Sequence, residues 1–532
     1  MLFKRSLFAV FAVAGAVAVS SAVASGPASG HRIPPAPLSA EAVARLTADP
    51  AALRELTHPS RLVPASSSET SPSSHWQRVH HDSLADPGAM LLLTDGSVLI
   101  QDASSCDCGS GDWWRLTPDL SGNYRNGTLT QAASMSADYA PLYFASAVLP
   151  DGRVIVEGGE YNFGQLAWTN QGAIYDPVAD SWTAVAPPHG GTGSWGRIGD
   201  APAVVRAGGR FMVGAALSKA EAVFNASTLG WKDTGTGKAD GNGEEGWSLL
   251  PDGRVLTVDT GLPPHTEAYD PGSGAWQSAG DTPQSLVFRG EIGPEVDLHD
   301  GSVLAVGATG ANARYSSSTQ SWSAAPPFPV IDGQQYDEAD GPAAVLPNGK
   351  VLLMASPGEF QKPSRFFIYN GTKLTVTEGT PNQDHLSSYF GYMLVLPTGQ
   401  VLFNDRVGGL WLYNSDGVPK ARFAPVIRTV PTTLARGQTY ELRGRQLSGL
   451  TQGAAYGDDY ESATNYPLVR IVNDATGHVF YARTFDFTDT SVQPGAPGAT
   501  QFVVPVGAET GASTLYVVAS GLASGGRSVT VE

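Results

Sequence analysis

Cysteine, positive charge and long apolar runs are all scarce in this chain of 532 residues. The two cysteines, Cys106 and Cys108, have one residue between them, and no histidine or third cysteine lies close enough in sequence to complete a metal site. The pair is either a strained local disulfide or a redox or metal-binding thiol pair. Asp and Glu number 50 against 33 Lys and Arg, a formal net charge of −17, which argues against a nucleic-acid partner.

A single apolar run approaches the length of a membrane span, and it lies at the N-terminus. Lys4 and Arg5 precede this run, Leu7 to Val19, and the small residues Ala22 to Ala24 follow it. This arrangement is typical of a secretory signal peptide, here residues 1–24, and the run is too short for a good membrane span. We therefore expect a secreted protein, extracellular or periplasmic, with neither a membrane span nor a nucleic-acid partner.

Glycine, in contrast, is abundant, and it marks a repeated hairpin. The segment Leu142 to Tyr161, LYFASAVLPDGRVIVEGGEY, has two apolar runs joined by a Pro-Asp-Gly turn. Similar turns recur along the chain with steps of 56, 57, 44, 48, 48 and 50 residues between their glycines. The turn glycines are Gly96, Gly152, Gly209, Gly253, Gly301, Gly349 and Gly399. Seven near-equal units with little helical periodicity predict an all-β chain with a seven-bladed kelch-type β-propeller over residues 75–422.

The second half of each unit supports the same fold. In four units an aromatic residue stands about seven positions before a tryptophan, as in Tyr175 and Trp182, which predicts the outer hairpin of a blade. The segment Trp76 to Asp82 is expected to supply the outer strand of the last blade and so to close the ring.

Two further regions flank the predicted propeller. Residues 25–74 form an N-terminal extension or linker, which is either a pro-segment or a packed arm. Residues 423–532 contain alternating strands at the spacing of a β-sandwich, and they predict an immunoglobulin-like domain.

With a signal peptide, a kelch-type propeller and a C-terminal immunoglobulin-like sandwich, the chain resembles the secreted copper-radical oxidases, galactose oxidase and glyoxal oxidase. The resemblance covers most of the chain from about Trp76. It implies oxidation of primary alcohols or aldehydes with release of peroxide. It also implies a copper ion on the propeller axis, held by two tyrosines and two histidines, with one tyrosine cross-linked to a cysteine.

The resemblance assigns four residues of this chain to such a site. Tyr143, nine residues before Gly152, corresponds to the cross-linked tyrosine, and Tyr161 to the residue that stacks over it. Tyr389 corresponds to the axial tyrosine, and His478 to the histidine delivered by a loop of the C-terminal domain.

Two positions depart from the family pattern. Phe390 follows Tyr389 where the family has a histidine, and Pro87 stands where the cross-linking cysteine is expected. Phenyl cannot bind copper, and without the thioether the radical cofactor is lost. These departures argue against complete copper-radical chemistry.

Acidic residues occupy the corresponding positions of the middle units. Asp200, Glu244 and Asp340 each lie nine residues before a turn glycine, whereas Glu245 and Glu291 are one position off this register. We expect these five carboxylates to face the same end of the central channel as Tyr143 and Tyr389. They would then bind a cation such as Ca²⁺ or a cationic ligand, act as an acid–base pair on a sugar, or tie neighbouring blades together through backbone amides.

Two functions remain open on these residues. The first is a monomeric propeller that binds a ligand or cation at an acidic axial pocket, with a small molecule or, by analogy, a carbohydrate as partner. The second is a copper-dependent alcohol or aldehyde oxidase that works with the reduced ligand set Tyr143, Tyr389 and His478. Copper and calcium are the corresponding candidate cofactors. No serine stands in a recognisable nucleophile turn.

Overall fold

The computed structural model describes residues 75–81, 84, 86–103, 109–190, 193–455 and 462–532. The predicted signal peptide (residues 1–24), the extension (residues 25–74), and Cys106 and Cys108 lie outside these described residues. Within them the helical elements are three short 3₁₀ turns, and none is long and apolar enough to cross a bilayer. These turns are Gln383–His385, Ser388–Phe390 and Ala421–Phe423.

Within the described part of the chain, seven antiparallel sheets follow one another, and in sheets 1 to 6 four strands pair in chain order. Strand β1 is Trp76–Arg78. Sheet 1 consists of β2 Pro87–Leu92, β3 Val98–Asp102, β4 Trp113–Thr117 and β5 Thr128–Gln131. Sheet 2 consists of β7 Ala145–Val148, β8 Val154–Glu157, β11 Gly172–Asp176 and β12 Ser181–Val185. Three short strands in the same stretch of chain form a separate small sheet: β6 Pro141–Leu142, β9 Tyr161–Asn162 and β10 Gln165–Leu166.

The middle sheets have the same plan. The pair β13 His189–Gly190 and β14 Gly193–Ser194 precedes sheet 3, which consists of β15 Ala203–Val205, β16 Phe211–Gly214, β17 Glu221–Asn225 and β18 Gly230–Thr234. Sheet 4 consists of β19 Ser248–Leu249, β20 Val255–Val258, β21 His265–Asp270 and β22 Ala275–Asp281. Sheet 5 consists of β23 Glu295–Asp297, β24 Ser302–Val306, β25 Asn312–Ser316 and β26 Ser321–Ala325.

The last two sheets complete the series. The pair β27 Val330–Ile331 and β28 Gln334–Gln335 precedes sheet 6, which consists of β29 Ala343–Val345, β30 Val351–Ala355, β31 Arg365–Tyr369 and β32 Leu374–Thr377. Sheet 7 consists of β33 Tyr392–Val395, β34 Val401–Asn404 and β35 Leu410–Tyr413, and β1 pairs with β35 as its fourth strand. The prediction that the Trp76 segment supplies the outer strand of the last sheet is therefore confirmed.

Consecutive sheets pack against each other through buried apolar side chains, because each strand presents side chains to both neighbouring sheets. Sheet 7 returns to sheet 1 through the Asn404 side-chain amide, which donates to the Gly88 carbonyl at 2.8 Å. The rings of Trp113 and Phe144 and those of Phe366 and Phe403 pack across two other junctions. At the remaining junctions, residues of consecutive sheets belong to one buried cluster, as do Ile155 and Phe211, Met212 and Leu249, Leu256 and Val303, and Val306 and Leu353. The predicted all-β, propeller-like fold is confirmed.

The strands that follow form a second β region with its own core. They are β36 Val426–Thr429, β37 Thr433–Leu434, β38 Thr439–Arg445, β39 Ala454–Ala455, β40 Leu468–Asn473, β41 Val479–Phe485, β42 Pro497–Val503, β43 Gly511–Ala519, β44 Leu522–Ala523 and β45 Arg527–Val531. Apart from β39 they pair in the order β36-β38-β42-β41-β40-β43-β45-β37, with β44 on β43. Buried residues such as Leu442, Val469 and Phe502 form the core. The immunoglobulin-like topology stays a prediction.

This C-terminal region covers one end of the propeller. The turn glycines Gly96 and Gly152 have φ of 80° and 84°, and a Cβ atom on either would lie within 3.0 Å of Tyr481 or Thr484. Both the left-handed backbone and the close approach require glycine here. The covered end carries the hairpin turns, so the opposite end is where the first strand of each sheet begins. We call that opposite end the mouth.

One loop of the C-terminal region enters the propeller beside sheets 4 and 5. Its strand β39 pairs with β23, and the Gly453 carbonyl accepts from the Asp297 amide at 2.9 Å. The buried Gln452 side chain accepts from the Leu249 amide at 2.9 Å and donates to the Trp247 carbonyl at 3.0 Å. This loop supplies backbone and side-chain bonds that the two-residue strand β19 leaves unmade.

Replacing Gln452 with alanine is expected to lower the free energy of unfolding by a large amount for a single substitution. The change removes a partner from two buried backbone groups, each of which costs about 1–3 kcal/mol when unsatisfied. Urea unfolding should show this loss for Gln452→Ala and almost none for Gln493→Ala, which changes an exposed glutamine of the same region. Equal stability of Gln452→Ala and wild type would show that the loop contributes little.

Candidate functional site

The residues just before the first strand of each sheet meet at the mouth. Three of them, Tyr143, Glu244 and Asp340, stand in the same register and have φ of 55°, 62° and 47°. This left-handed conformation costs a non-glycine residue about 1–3 kcal/mol, and such strain concentrates at functional sites. The repeated strain marks the mouth as the candidate site.

Three carboxylates converge there, from the segments that lead into sheets 4, 5 and 6. Glu244, Glu291 and Asp340 each offer one oxygen, and these oxygens lie within 4.8 Å of one another. Glu291 and Asp340 are fully buried, whereas Glu244 is half-buried. Three ionised carboxylates at this separation repel each other unless a cation or protons offset their charge. We call this group the acidic triad.

The other two predicted acids are not members of the acidic triad. Asp200 is buried at the start of sheet 3. Glu245 has partners of its own: its carboxylate bonds to the Lys238 ammonium at 2.8 Å and accepts from the Trp247 indole at 3.2 Å. Glu244 and Glu245 therefore enter different surroundings although they are adjacent in the chain.

Lys238 occupies the centre of a second acidic group. Its ammonium lies 2.8 Å from Glu245, 3.3 Å from Asp240, 3.4 Å from Glu267 and 3.9 Å from Asp259. Burial opposes the charge, but the carboxylates outweigh it and raise the pKa of Lys238. This lysine supplies the positive charge that a metal ion would otherwise bring.

A buried arginine lies against the predicted copper tyrosine. The Tyr143 hydroxyl accepts from both terminal nitrogens of Arg406 at 3.1 Å each, and the guanidinium carbon is 5.2 Å from the Tyr143 ring centroid. Arg406 follows β34 and has φ of 54°. Its guanidinium therefore links sheet 7 to sheet 2 across the mouth.

Sequence reasoning missed Arg406, although the repeat contains a signal for it. Seven positions after each turn glycine the chain has a small residue in six units and arginine in the seventh. The series is Ala103, Gly159, Ala216, Thr260, Ala308, Ser356 and Arg406. The other six units have a small side chain at this position, so the long, positively charged side chain of Arg406 indicates a role in the channel.

The aromatic residues assigned to the site are connected to this arginine through ring contacts. Tyr161 meets Tyr143 edge to face, with ring centroids 6.1 Å apart and an interplanar angle of 66°. The ring centroids of Tyr389 and Phe390 are 4.2 Å apart, and the Phe390 centroid lies 5.7 Å from the guanidinium carbon of Arg406. Tyr143, Tyr161 and Tyr389 thus belong to one contiguous group.

The expectation that His478 joins this group is wrong. His478 lies in the turn between β40 and β41, where its Nδ1 is 2.7 Å from Glu509, and 37% of its side chain is exposed. The next residue, Val479, bonds to the Leu120 carbonyl, in the loop between β4 and β5. The Gln452 loop, in contrast, enters the propeller, and its sequence contains no histidine.

The donor set does not fit a copper-radical centre. Copper needs imidazole or thiolate donors beside phenolate, whereas Phe390 replaces one expected imidazole and His478 lies elsewhere. The Arg406 guanidinium donates a hydrogen bond to the Tyr143 hydroxyl, and its positive charge would repel a metal cation there. Within the described residues, both groups of three metal-ligand side chains contain only carboxylates.

Comparison with known proteins gives similarity to solved structures alone. No family model and no curated protein matches the chain. A fungal alcohol oxidase of the AA5 family, in complex with copper, is 15% identical with a TM-score of 0.41, over 85% of this chain and 86% of that one. Virginiamycin B lyase from Staphylococcus aureus (8% identity, TM-score 0.43) aligns with 64% of this chain and 98% of its own. The WD40 propeller domain of Doa1 (10% identity, TM-score 0.42) aligns with 64% and 97%. These TM-scores lie below 0.5, so the likenesses carry no weight for function.

Proposed function

We propose that this chain is an exported β-propeller that binds a hard divalent cation, Ca²⁺ in the first place, at the acidic triad and uses it to hold a ligand. The observation that carries the proposal is the convergence of Glu244, Glu291 and Asp340 oxygens within 4.8 Å of one another. Ca²⁺ binds oxygen ligands at about 2.4 Å, so two oxygens on opposite sides of the ion lie about 4.8 Å apart. The three triad oxygens are therefore close enough together to bind one such ion.

The surroundings of the triad agree with a site that exchanges with solvent. Ca²⁺ takes about six to eight oxygen ligands, and three carboxylates leave positions for water or a ligand. Glu244 is half-buried, so the triad is open on its side. Hydroxyl groups of a carbohydrate are oxygen donors of the same type, and a carbohydrate is therefore the proposed ligand class.

The oxidase alternative has less support. Its reduced ligand set requires His478 next to Tyr143, and His478 is bound to Glu509 at the other end of the propeller. A copper ion would also have to displace Arg406 from the Tyr143 hydroxyl.

Calcium is expected to raise the thermal unfolding midpoint, because an ion that binds only the folded state stabilises it by about 2.7 kcal/mol at a hundred times its dissociation constant. In Glu291→Gln the increase should be largely lost, since one of three charged ligands is gone. Glu157→Gln is the matched control: Glu157 is also a fully buried glutamate, at the end of β8, and lies outside the triad.

Differential scanning calorimetry with calcium and with the chelator EDTA checks this prediction. A calcium-dependent shift in wild type and Glu157→Gln that is lost in Glu291→Gln supports the site. The same midpoint with and without calcium in wild type, or an undiminished shift in Glu291→Gln, overturns it.

A further inference from the structure

A second constellation of reactive groups lies on the three outer strands of sheet 4. Asp259 directly follows β20, His265 begins β21 and Ser278 lies in β22. The His265 ring bonds through Nδ1 to an Asp259 oxygen, and its Nε2 lies 3.0 Å from the Ser278 hydroxyl. The three side chains form one line, carboxylate to imidazole to hydroxyl.

We infer that Ser278 is a nucleophile activated by His265, and that this site accepts acyl or phosphonyl groups from small, neutral or cationic esters. The same three roles recur on unrelated folds, where they are recognised by geometry and not by sequence position. The inference is independent of the cation site, which involves none of these residues.

Burial along the line suits each role. Asp259 is fully buried, 29% of the His265 side chain is exposed and Ser278 is exposed. A buried carboxylate orients the imidazole, which leaves Nε2 directed at a hydroxyl that an external substrate can reach. Burial raises the pKa of Asp259 to about 6, although the Lys238 ammonium, 3.9 Å from its other oxygen, favours the charged form. Asp259 is therefore ionised at about pH 8. Asp259 is accordingly a positioning residue.

The backbone beside Ser278 leaves room for a substrate. A register shift between β21 and β22 falls at Thr266 and Glu267, opposite Ser278 to Gly280. The Gly280 amide donates to the Ser278 hydroxyl at 3.2 Å, so a backbone N–H lies next to the reacting oxygen. Gly280 has φ of 86°, and no atom lies within 4 Å of the position of a Cβ there.

The reaction is an ordinary acyl transfer. The Ser278 oxygen bonds to the carbonyl carbon, its proton passes to His265 Nε2, and the ester C–O bond breaks as the alcohol leaves with that proton. Water then cleaves the acyl-serine by the same route, which restores the hydroxyl. With a fluorophosphonate probe the oxygen bonds to phosphorus and fluoride leaves, so the serine stays labelled.

The charges around His265 set the pH dependence and the substrate class. Burial lowers its pKa, but Asp259, Glu267 and Asp281 outweigh this effect and raise the pKa of His265 above its ordinary value of 6.5. The imidazole accepts a proton only when neutral, so reactivity should increase with pH through a midpoint above 6.5. The same carboxylates repel anionic substrates, which favours neutral or cationic esters.

The test is labelling of the full chain with a tagged fluorophosphonate, followed by peptide mapping. We expect the label on the Ser278 peptide, none in Ser278→Ala, and a rate about 100-fold lower in His265→Gln. Ser273→Ala is the matched control, because this exposed serine of the same hairpin bonds to Asp270 and not to histidine. It should label like wild type. In Asp259→Asn the rate should fall and its pH midpoint should move down, which a merely structural role would not cause.

Three outcomes overturn the inference. They are an unlabelled wild-type protein at about pH 8, a label on a residue other than Ser278, or a His265→Gln rate equal to that of wild type.

Discussion

The protein is expected to unfold at a lower temperature at about pH 8.5 than at about pH 6, the reverse of the usual behaviour of carboxylates in ion pairs. The cause is a set of buried carboxyls. Burial raises the pKa of Glu295 from 4.5 to about 8, and it raises the pKa of Glu221 and of Asp337 to about 7. These groups hold protons in the folded state that the unfolded chain releases.

The sign follows from the proton balance. Where the folded state binds more protons, the free energy of unfolding falls as pH rises, by about 1.4 kcal/mol per pH unit for each extra proton. This stability is complete below the unfolded pKa values of about 4 and is lost as pH rises through 7 to 8, the folded pKa values. Carboxyls with lowered pKa, such as Asp300, titrate below this window and do not cancel the effect.

Differential scanning calorimetry across this pH range checks the prediction. Glu295→Gln should be more stable than wild type at the alkaline end and should show a flatter pH dependence, since glutamine still accepts from the Val258 amide, now 2.7 Å away. Glu441→Gln is the control, because Glu441 is exposed and pairs with Arg443 on β38. A midpoint that is constant or rises from about pH 6 to 8.5 would contradict the account.

Removal of the Trp76 side chain is expected to cost about 3–5 kcal/mol of stability. Trp76 lies on β1, is 1% exposed and donates through its indole nitrogen to the Glu378 carbonyl at 2.8 Å. Its ring packs against Phe366, Phe403 and Tyr413. The loss therefore loosens the strand that closes the ring and exposes an edge of sheet 7.

Urea unfolding of Trp76→Ala and Gln77→Ala distinguishes the contribution of the Trp76 side chain from that of the pairing of β1 with β35. Gln77 lies on the same strand and pairs with Leu412, but its side chain points to the opposite face of the strand. Its replacement should cost no more than about 0.5 kcal/mol. If both variants cost the same, or if Trp76→Ala leaves stability unchanged, β1 does not hold the ring closed.

The propeller-like fold could be predicted from the sequence because each repeat is marked by residues that lie close together in the chain. Each turn requires a glycine with positive φ, and each hairpin carries β-branched residues, so seven units are visible without tertiary information. Ring closure by Trp76 followed from the same logic, since an open edge strand is costly.

The site was predicted only where the repeat register determines it. Tyr143, Glu244 and Asp340 stand nine residues before a turn glycine, and register alone brings Glu244 and Asp340 together. His478 was misplaced because its position depends on which loop enters the channel, and the contacts of Glu245 depend on where Lys238 lies. These are tertiary facts with no local signal. The Asp259, His265 and Ser278 line is equally hidden, since it depends on cross-strand register.

Metal analysis after dialysis against calcium and copper together, followed by desalting, shows which ion the mouth binds. We expect about one Ca²⁺ per chain, lost in Glu291→Gln, and no stoichiometric copper. Stoichiometric copper with a tyrosinate-to-copper absorption band that is lost in Tyr143→Phe would contradict this expectation, because Arg406 would then have yielded the Tyr143 hydroxyl to a metal.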